Sequence, residues 1–416
     1  MVSMRRFVVF AMLLILLQAV SAGALGYNLI GPSQEVAVAS GGENYLVAWG
    51  DDSFVNVTLV RVLDNSPIKN VSVDSVGGVY VLNSNRVLDV SSLVDVNFVR
   101  YIVVWKAKND SYIYYRVLDS AGDYVTRTKR LDSVKPDYLS VTSDGEYFVV
   151  VYEEYNSNQL YYAVLDASGS IVDNGLLYTG KGAIHYSTIA YDQKSGYFGV
   201  AFRESWNSGS SYNLTFIDFK LLSDGALNSS SVHRANFLVR VSAVAVAPGM
   251  GGFFVAYRKY YSPYSWVIIE IPDPQSPGTY KQVAELPRAQ DSIRGDLDLV
   301  PNETSPYLIF AYENQTSDLV YVIRLVKIGL NGDILGDLSI TPSSGNFRYP
   351  SLAVSSVTPV EAYALGWLET DNGRALSAEY KSDLTAVSEV NQVPFFGTPA
   401  VAAALVVIAW FVARRW

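Results

Sequence analysis

The stretch YLVAW at 45–49 returns as YIVVW at 101–105, FVVVY at 148–152 and FGVAF at 198–202, then as FFVAY at 253–257, LIFAY at 308–312 and YALGW at 363–367. Each copy is a short apolar run closed by an aromatic: Trp49, Trp105, Tyr152, Phe202, Tyr257, Tyr312 and Trp367. The closing residues lie 56, 47, 50, 55, 55 and 55 positions apart. A period of this size repeated seven times is the signature of a repeat architecture, and it has to be recognised before any domain count is attempted.

The flanks repeat as well. Upstream of most copies runs a strand of alternating small residues, as in EVAVAS (35–40), LSVTSD (139–144), STIAYD (187–192), SAVAVA (242–247) and SLAVSS (351–356). Turn residues separate the two strands, among them Gly41-Gly42, Asp144-Gly145, Lys194-Ser195-Gly196 and Pro248-Gly249, as a hairpin requires. A third strand follows, ending in a second turn, as in YYRVLDSAGD (114–123) and YYAVLDASGS (161–170), and then a short fourth strand such as 124–126 or 170–172. Residues 25–390 show no sustained 3.6-residue period, so the expectation is all-β. Four antiparallel strands per unit of about fifty residues predict a seven-bladed β-propeller, the count open by one because 293–340 and 348–387 are irregular in their turns. A string of β-sandwiches would need about 100 residues per unit. Small residues such as Ala37, Ala39, Ala190, Ala243, Ala245 and Ala353 are expected to line the crowded centre, and the closing aromatics to wedge between sheets. The unclaimed segment 27–30 is expected to complete the last blade and remove a free edge.

The units S-G-G-E-N-Y-L-V-A-W-G-D (40–51) and T-S-D-G-E-Y-F-V-V-V-Y-E (142–153), with Val164-Leu165-Asp166 and Gly169 further on, resemble the repeats of secreted bacterial and archaeal β-propeller proteins. The resemblance covers about 350 residues. It implies the fold and leaves function open, because propellers host many unrelated activities.

The two ends read differently. Arg5 and Arg6, the apolar run 7–20 and the small residues 20–22 predict a signal peptide over 1–22. Residues 395–413 carry no charge and are followed by Arg414 and Arg415, which predicts a transmembrane helix within 391–416 and a short basic cytoplasmic tail. The Pro394-Phe395-Phe396 stretch ahead of it resembles the P-E-F-type sorting signals of archaeal surface proteins, without their Glu. Residues 23–390 are then an extracellular ectodomain on a single-pass anchor in the cell membrane.

Composition narrows the function. The chain has 416 residues, a formal charge of −9, no cysteine and only His185 and His233 as histidines. Thiolate metal sites, disulfides and thiol nucleophiles are excluded outright. Without the four terminal arginines the ectodomain carries 27 basic against 40 acidic residues, a net −13 that disfavours nucleic acid as a partner. No cofactor, metal or catalytic motif is indicated: G-x-S-x-G, H-E-x-x-H and P-loop patterns do not occur.

Charged residues follow each closing aromatic: Asp51-Asp52, Lys106, Glu153-Glu154, Arg203-Glu204, Arg258-Lys259, Glu313 and Glu369. Equivalent positions should ring one face, either as wet loop residues or as a site for a polar ligand. The segment YRKYYSPYSW (257–266) adds aromatic surface. Candidate ligand contacts are therefore Glu153, Glu154, Arg203, Glu204, Trp206, Arg258, Tyr260, Tyr261, Tyr264 and Trp266. Both histidines are expected at the surface or in turns. Seven N-x-[ST] sequons, at Asn56, Asn70, Asn109, Asn213, Asn228, Asn302 and Asn314, suit a glycoprotein. The expected function is non-enzymatic binding, adhesion or envelope scaffolding, with a glycan or an envelope protein as partner; the alternative is an extracellular hydrolase or lyase acting on carbohydrate.

Overall fold

The computed structural model describes residues 28–384, apart from 63–64, 74–76, 80–85, 133, 155, 207–210, 288–291, 293, 302–304, 317–319, 342–345, 355–361 and 382–383. The expected signal peptide and membrane anchor lie outside the described residues, among which no helix is long and apolar enough to cross a membrane. The described residues form 27 strands and no helix.

Strand β1 (Asn28–Pro32) precedes a regular succession of antiparallel sheets. One holds β2 (Glu35–Gly41), β3 (Asn44–Gly50), β4 (Val55–Arg61) and β5 (Pro67–Ser72). The next holds β6 (Leu88–Val94), β7 (Val99–Lys106), β8 (Ile113–Asp119) and β9 (Lys129–Arg130). Then come β10 (Pro136–Ser143), β11 (Tyr147–Glu154), β12 (Gln159–Asp166) and β13 (Ile171–Thr179). A seven-stranded sheet follows: β14 (Ile184–Asp192), β15 (Tyr197–Trp206), β16 (Ser211–Leu221), β17 (Leu227–Pro248), β18 (Phe253–Lys259), β19 (Ser265–Ile271) and β20 (Lys281–Pro287). The chain continues through β21 (Gly295–Val300), β22 (Tyr307–Gln315), β23 (Tyr321–Gly329) and β24 (Ile334–Ile340), and ends with β25 (Phe347–Val354), β26 (Ala362–Glu369) and β27 (Arg374–Lys381).

The first strands β2, β6, β10, β14, the end of β17, β21 and β25 each contact the next, and β25 contacts β2. The ring of inner strands closes, which makes the architecture a β-propeller. The expected closure by the N-terminus is present. β1 pairs antiparallel with β27, Leu29 opposite Leu376 and Pro32 opposite Arg374, so the last sheet is built from both ends of the ring. Gly31 is needed there, since a Cβ at this position would come within 2.3 Å of the Trp49 ring.

Two elements depart from expectation. In the second sheet the outer strand is β9, five residues on from the expected place, and Tyr124 makes only an isolated bridge to Leu118. Strand β17 runs 22 residues, serving first as the outer strand beside β16 and then as the inner strand beside β18. Its sequence has no glycine or proline before Pro248, and the strand passes from one sheet to the next without a loop.

The core is divided into slabs between neighbouring sheets. Leu46, Val57, Tyr101 and Trp105 share one cluster, drawn from the β2–β5 and β6–β9 sheets; Ala243, Trp266, Leu297 and Phe310 share another, drawn from the two sheets that meet between β17 and β21. All seven closing aromatics are buried, as expected of wedges between sheets. Of the small residues expected at the centre, Ala39, Ala190 and Ala353 line the axial cavity, while Ala37, Ala243 and Ala245 pack in the slabs between sheets.

Deleting residues 23–31 should lower the melting temperature by several degrees in calorimetry, because it frees the β27 edge and uncovers Trp49. An unchanged melt would contradict closure through β1.

Candidate functional site

An inner strand pairs on one side only, so its other edge points polar backbone groups at the axis. Buried or crowded N–H groups need acceptors. Side chains of the preceding sheet provide them. The Val141 N–H donates to Asp89 Oδ2 at 2.9 Å, Leu352 N–H to Asp296 Oδ2 at 2.9 Å, Val354 N–H to Asp298 Oδ2 at 3.1 Å, and Val38 N–H to Ser351 Oγ at 3.0 Å.

Two arginines reach between sheets that are not neighbours. Arg294, just ahead of β21, donates to Glu35 of β2 through both terminal nitrogens, at 2.5 and 3.1 Å, with both side chains almost fully buried. Arg86, just ahead of β6, donates to Asp296 at 3.2 Å. Burial raises the Asp89 carboxyl above the usual range and pushes that of Asp298 up to about 7, despite the N–H groups each accepts. Arg86, Asp89, Asp296 and Asp298 line a cavity of about 260 Å³ together with Ser40, Ser92, Ser140, Thr142 and Thr188. Among the described residues no group of three His, Asp or Glu side chains is arranged to hold a metal ion.

The residues that follow the closing aromatics occupy equivalent positions, but Glu153, Glu204, Glu313 and Glu369 among them turn inward. Glu153 is buried and its Oε2 accepts the Ser187 N–H at 3.1 Å. Glu313 is buried and accepts the Tyr349 N–H at 2.8 Å and Arg348 at 3.3 Å. The two sites are equivalent. Each acid seats a bulge in the next inner strand, where Tyr186 (φ 61°) and Tyr349 (φ 56°) take left-handed backbone conformations that disfavour a bulky side chain. Glu204 is fully buried and accepts from Lys181 N–H at 2.5 Å and Thr215 Oγ1 at 3.0 Å. Glu369 is buried too, while Asp51 and Glu154 are half-exposed and Asp52 is exposed, paired with Lys108. Of the cations at these positions, Lys106 is buried. The expectation that Glu153 and Glu204 face a ligand is therefore corrected: both are used in bonds within the fold, and the charged positions stay open only in part.

The aromatic candidates separate into two groups. Trp266 is fully buried, donates through Nε1 to Ser292 Oγ at 3.0 Å and meets Phe310 edge-on at 5.0 Å. It is a core residue and leaves the surface. Arg258 is 6 % exposed, donates to Ser242 Oγ at 2.8 Å and lies 4.6 Å from the Tyr264 ring centre. Trp206 sits opposite Ser211 at the end of β15, and its side chain lies outside the described residues. Tyr260 and Tyr261 do reach solvent, at 37 % and 53 % exposure, and their rings stand edge to face at 5.0 Å.

Three neighbours were not singled out in the sequence. The Tyr212 ring lies 5.3 Å from that of Tyr260, Arg240 donates to the Tyr261 hydroxyl, and Tyr186 and Tyr212 flank Arg203 at 4.7 and 4.5 Å. The uninterrupted β17 brings Arg240 there, opposite Asn213 on β16 and with its carbonyl accepting the Tyr260 N–H.

The remaining assignments also sort by burial. Asn70 and Asn109 are exposed; Asn56, Asn228 and Asn314 are half-buried; Asn302 lies outside the described residues. Asn213 is 7 % exposed inside β16, so the folded chain withholds it from modification. Both histidines are half-buried in strands rather than in surface turns. Burial and the nearby Arg203 charge push His185 down to about 4, while His233 Nδ1 is 2.8 Å from Asp218.

Burial raises the Glu153 carboxyl to about 7. The folded state therefore holds this proton more tightly than the unfolded chain. Its stabilising effect is complete below pH 4.5 and is lost as pH rises towards 7. Melts recorded between pH 4.5 and 8 should show a gentler decline for Glu153→Gln than for the native chain, and equal slopes would contradict this burial.

The chain matches no protein-family model and no curated sequence. Among solved structures it is similar to Kuenenia stuttgartiensis hydrazine synthase, at 14 % identity and a TM-score of 0.45, over 65 % of this chain and 79 % of that one. A subtype N10 neuraminidase-like protein of A/little yellow-shouldered bat/Guatemala is similar at 8 % identity and a TM-score of 0.45, over 84 % of this chain and 95 % of its own. The β-propeller domain of the trilobed protease from Pyrococcus furiosus is similar at 8 % identity and a TM-score of 0.49, over 88 % and 100 %. At these levels the propeller assignment rests on the closed ring of inner strands, and no activity passes from these proteins to this chain.

Proposed function

We propose that the chain is a cell-surface, single-pass protein whose seven-bladed propeller acts by binding, and that a saccharide is what it binds. In this reading residues 1–22 direct export and are removed, and 391–416 hold the propeller outside the cell membrane. The blade count follows the seven inner strands, with β17 counted in two sheets. One observation carries the choice of ligand: Tyr260 and Tyr261 stand in solvent, held at right angles to each other and braced by Tyr212 and Arg240. Aromatic faces held rigidly at the edge of water stack on the apolar faces of sugar rings, while their hydroxyls meet the polar rims. Binding is favoured over hydrolysis because Glu153, Glu204 and Glu313 are engaged by backbone and side-chain donors inside the fold. General acid–base chemistry on a glycosidic bond needs two carboxyl groups facing each other across a substrate.

The test is a glycan array probed with the full chain in detergent. The double variant Tyr260→Ala/Tyr261→Ala should lose about tenfold in affinity for any saccharide that binds, since stacking on each ring contributes on the order of 1 kcal/mol. Its melting temperature should stay within a degree or two, because both rings are exposed. Undiminished binding by this variant would remove the tyrosines from the account.

A further inference from the structure

We infer that the saccharide bound at this surface is anionic, a uronate whose carboxylate is taken by Arg203 and Arg240 while its ring rests on the tyrosines. The inference depends on the saccharide-binding reading above and adds the charge of the ligand to it.

The observations concern two cations in an acidic chain. Outside the terminal segments the sequence carries 13 more acids than bases, so a lysine or arginine on this protein has carboxylates in supply. Some surface cations use them: Lys69 with Asp123, Lys108 with Asp52, Lys259 with Glu285, Arg324 with Asp337. Arg203 and Arg240 stand in no salt bridge among the described residues. Arg203 lies between the faces of Tyr186 and Tyr212, and its Nε is buried without a hydrogen-bond partner. A guanidinium flanked by two rings has its faces occupied and its in-plane donors still to satisfy. Arg240 is exposed; it lies 5.2 Å from the Tyr261 ring centre and donates to the same residue's hydroxyl.

The local acids do not neutralise this pair. Glu204 follows Arg203 along β15, and successive side chains of a strand point to opposite faces. It accepts from Lys181 N–H and Thr215 and forms no ion pair with either arginine. Glu285 on β20 is bound by Lys259 and Ser265, which hold its carboxyl below the usual range. His185 on β14 is neutral at physiological pH and neither adds to nor offsets the charge. The surface therefore presents stacking faces beside two guanidinium groups that no described acid pairs. Carboxylate is the group whose paired oxygens match the guanidinium fork, and a sugar ring that carries one is a uronate.

Binding of tetragalacturonate to the full chain in detergent, compared with its methyl ester, separates charge from stacking. The acid should bind at least about tenfold more tightly than the ester at low salt, and the advantage should shrink as ionic strength rises past the Debye range of roughly 0.1 M. In Arg203→Gln/Arg240→Gln the two ligands should bind alike, at the affinity of the ester for the native chain. Arg240→Gln alone changes an exposed side chain and should already halve the preference or more. Equal binding of acid and ester by the native chain would overturn this inference and leave the tyrosine surface as a neutral saccharide site. A preference for the acid that survives both substitutions would also overturn it, and binding of neither would remove the saccharide reading as well.

Discussion

The inner strands bring their unpaired edges to one axis, and a bare edge of N–H and C=O groups is costly where water is scarce. The protein meets this with side chains of the neighbouring sheet. Asp89, Asp296, Asp298 and Ser351 each accept a backbone N–H of the next inner strand. Two arginines then tie strands that are not adjacent, Arg294 to Glu35 and Arg86 to Asp296. Such buried charges stabilise only when they are fully paired. Here the pairing also fixes which strand follows which, so ring order and polar satisfaction are set by the same side chains.

The same economy reaches the face where second strands end. Glu153 and Glu313 hold the bulges at Tyr186 and Tyr349, and each bulge turns its tyrosine towards an arginine: Tyr186 towards Arg203, Tyr349 towards Arg294. Both rings are half-buried. A carboxylate that looks catalytic in a strand-end series is, in this fold, a device for placing an aromatic ring. What the fold does not consume on this surface is the exposed faces of Tyr260 and Tyr261 and two arginines, Arg203 and Arg240, in no ion pair among the described residues.

Much of the architecture was legible in the sequence because its signals are periodic. Seven closing aromatics at near-constant spacing announce the sheets, and Tyr27 to Ile30 announces a strand with no sheet of its own. The site was less legible. Trp266 reads as part of an exposed loop, yet it opens the apolar run WVIIEI within β19 and is fully buried there. Tyr212 and Arg240 gave no motif at all. They are brought to Tyr260 by β17, whose one readable clue is 21 residues from Leu227 to Ala247 without glycine or proline. The aspartates of the axis were visible as polar residues within inner strands, in LDVSS and GDLDLV, but their acceptor role depends on contacts between sheets that spacing does not encode.

Native-state hydrogen exchange at the amides of Val38, Val141, Leu352 and Val354 tests most directly whether the inner edges are sealed by side chains. All four should exchange only through global unfolding, with protection equal to that of amides inside β3 and β11. Rapid exchange at these positions, with β3 and β11 still protected, would mean that the axis is open to water and that the ring is held by packing between sheets alone.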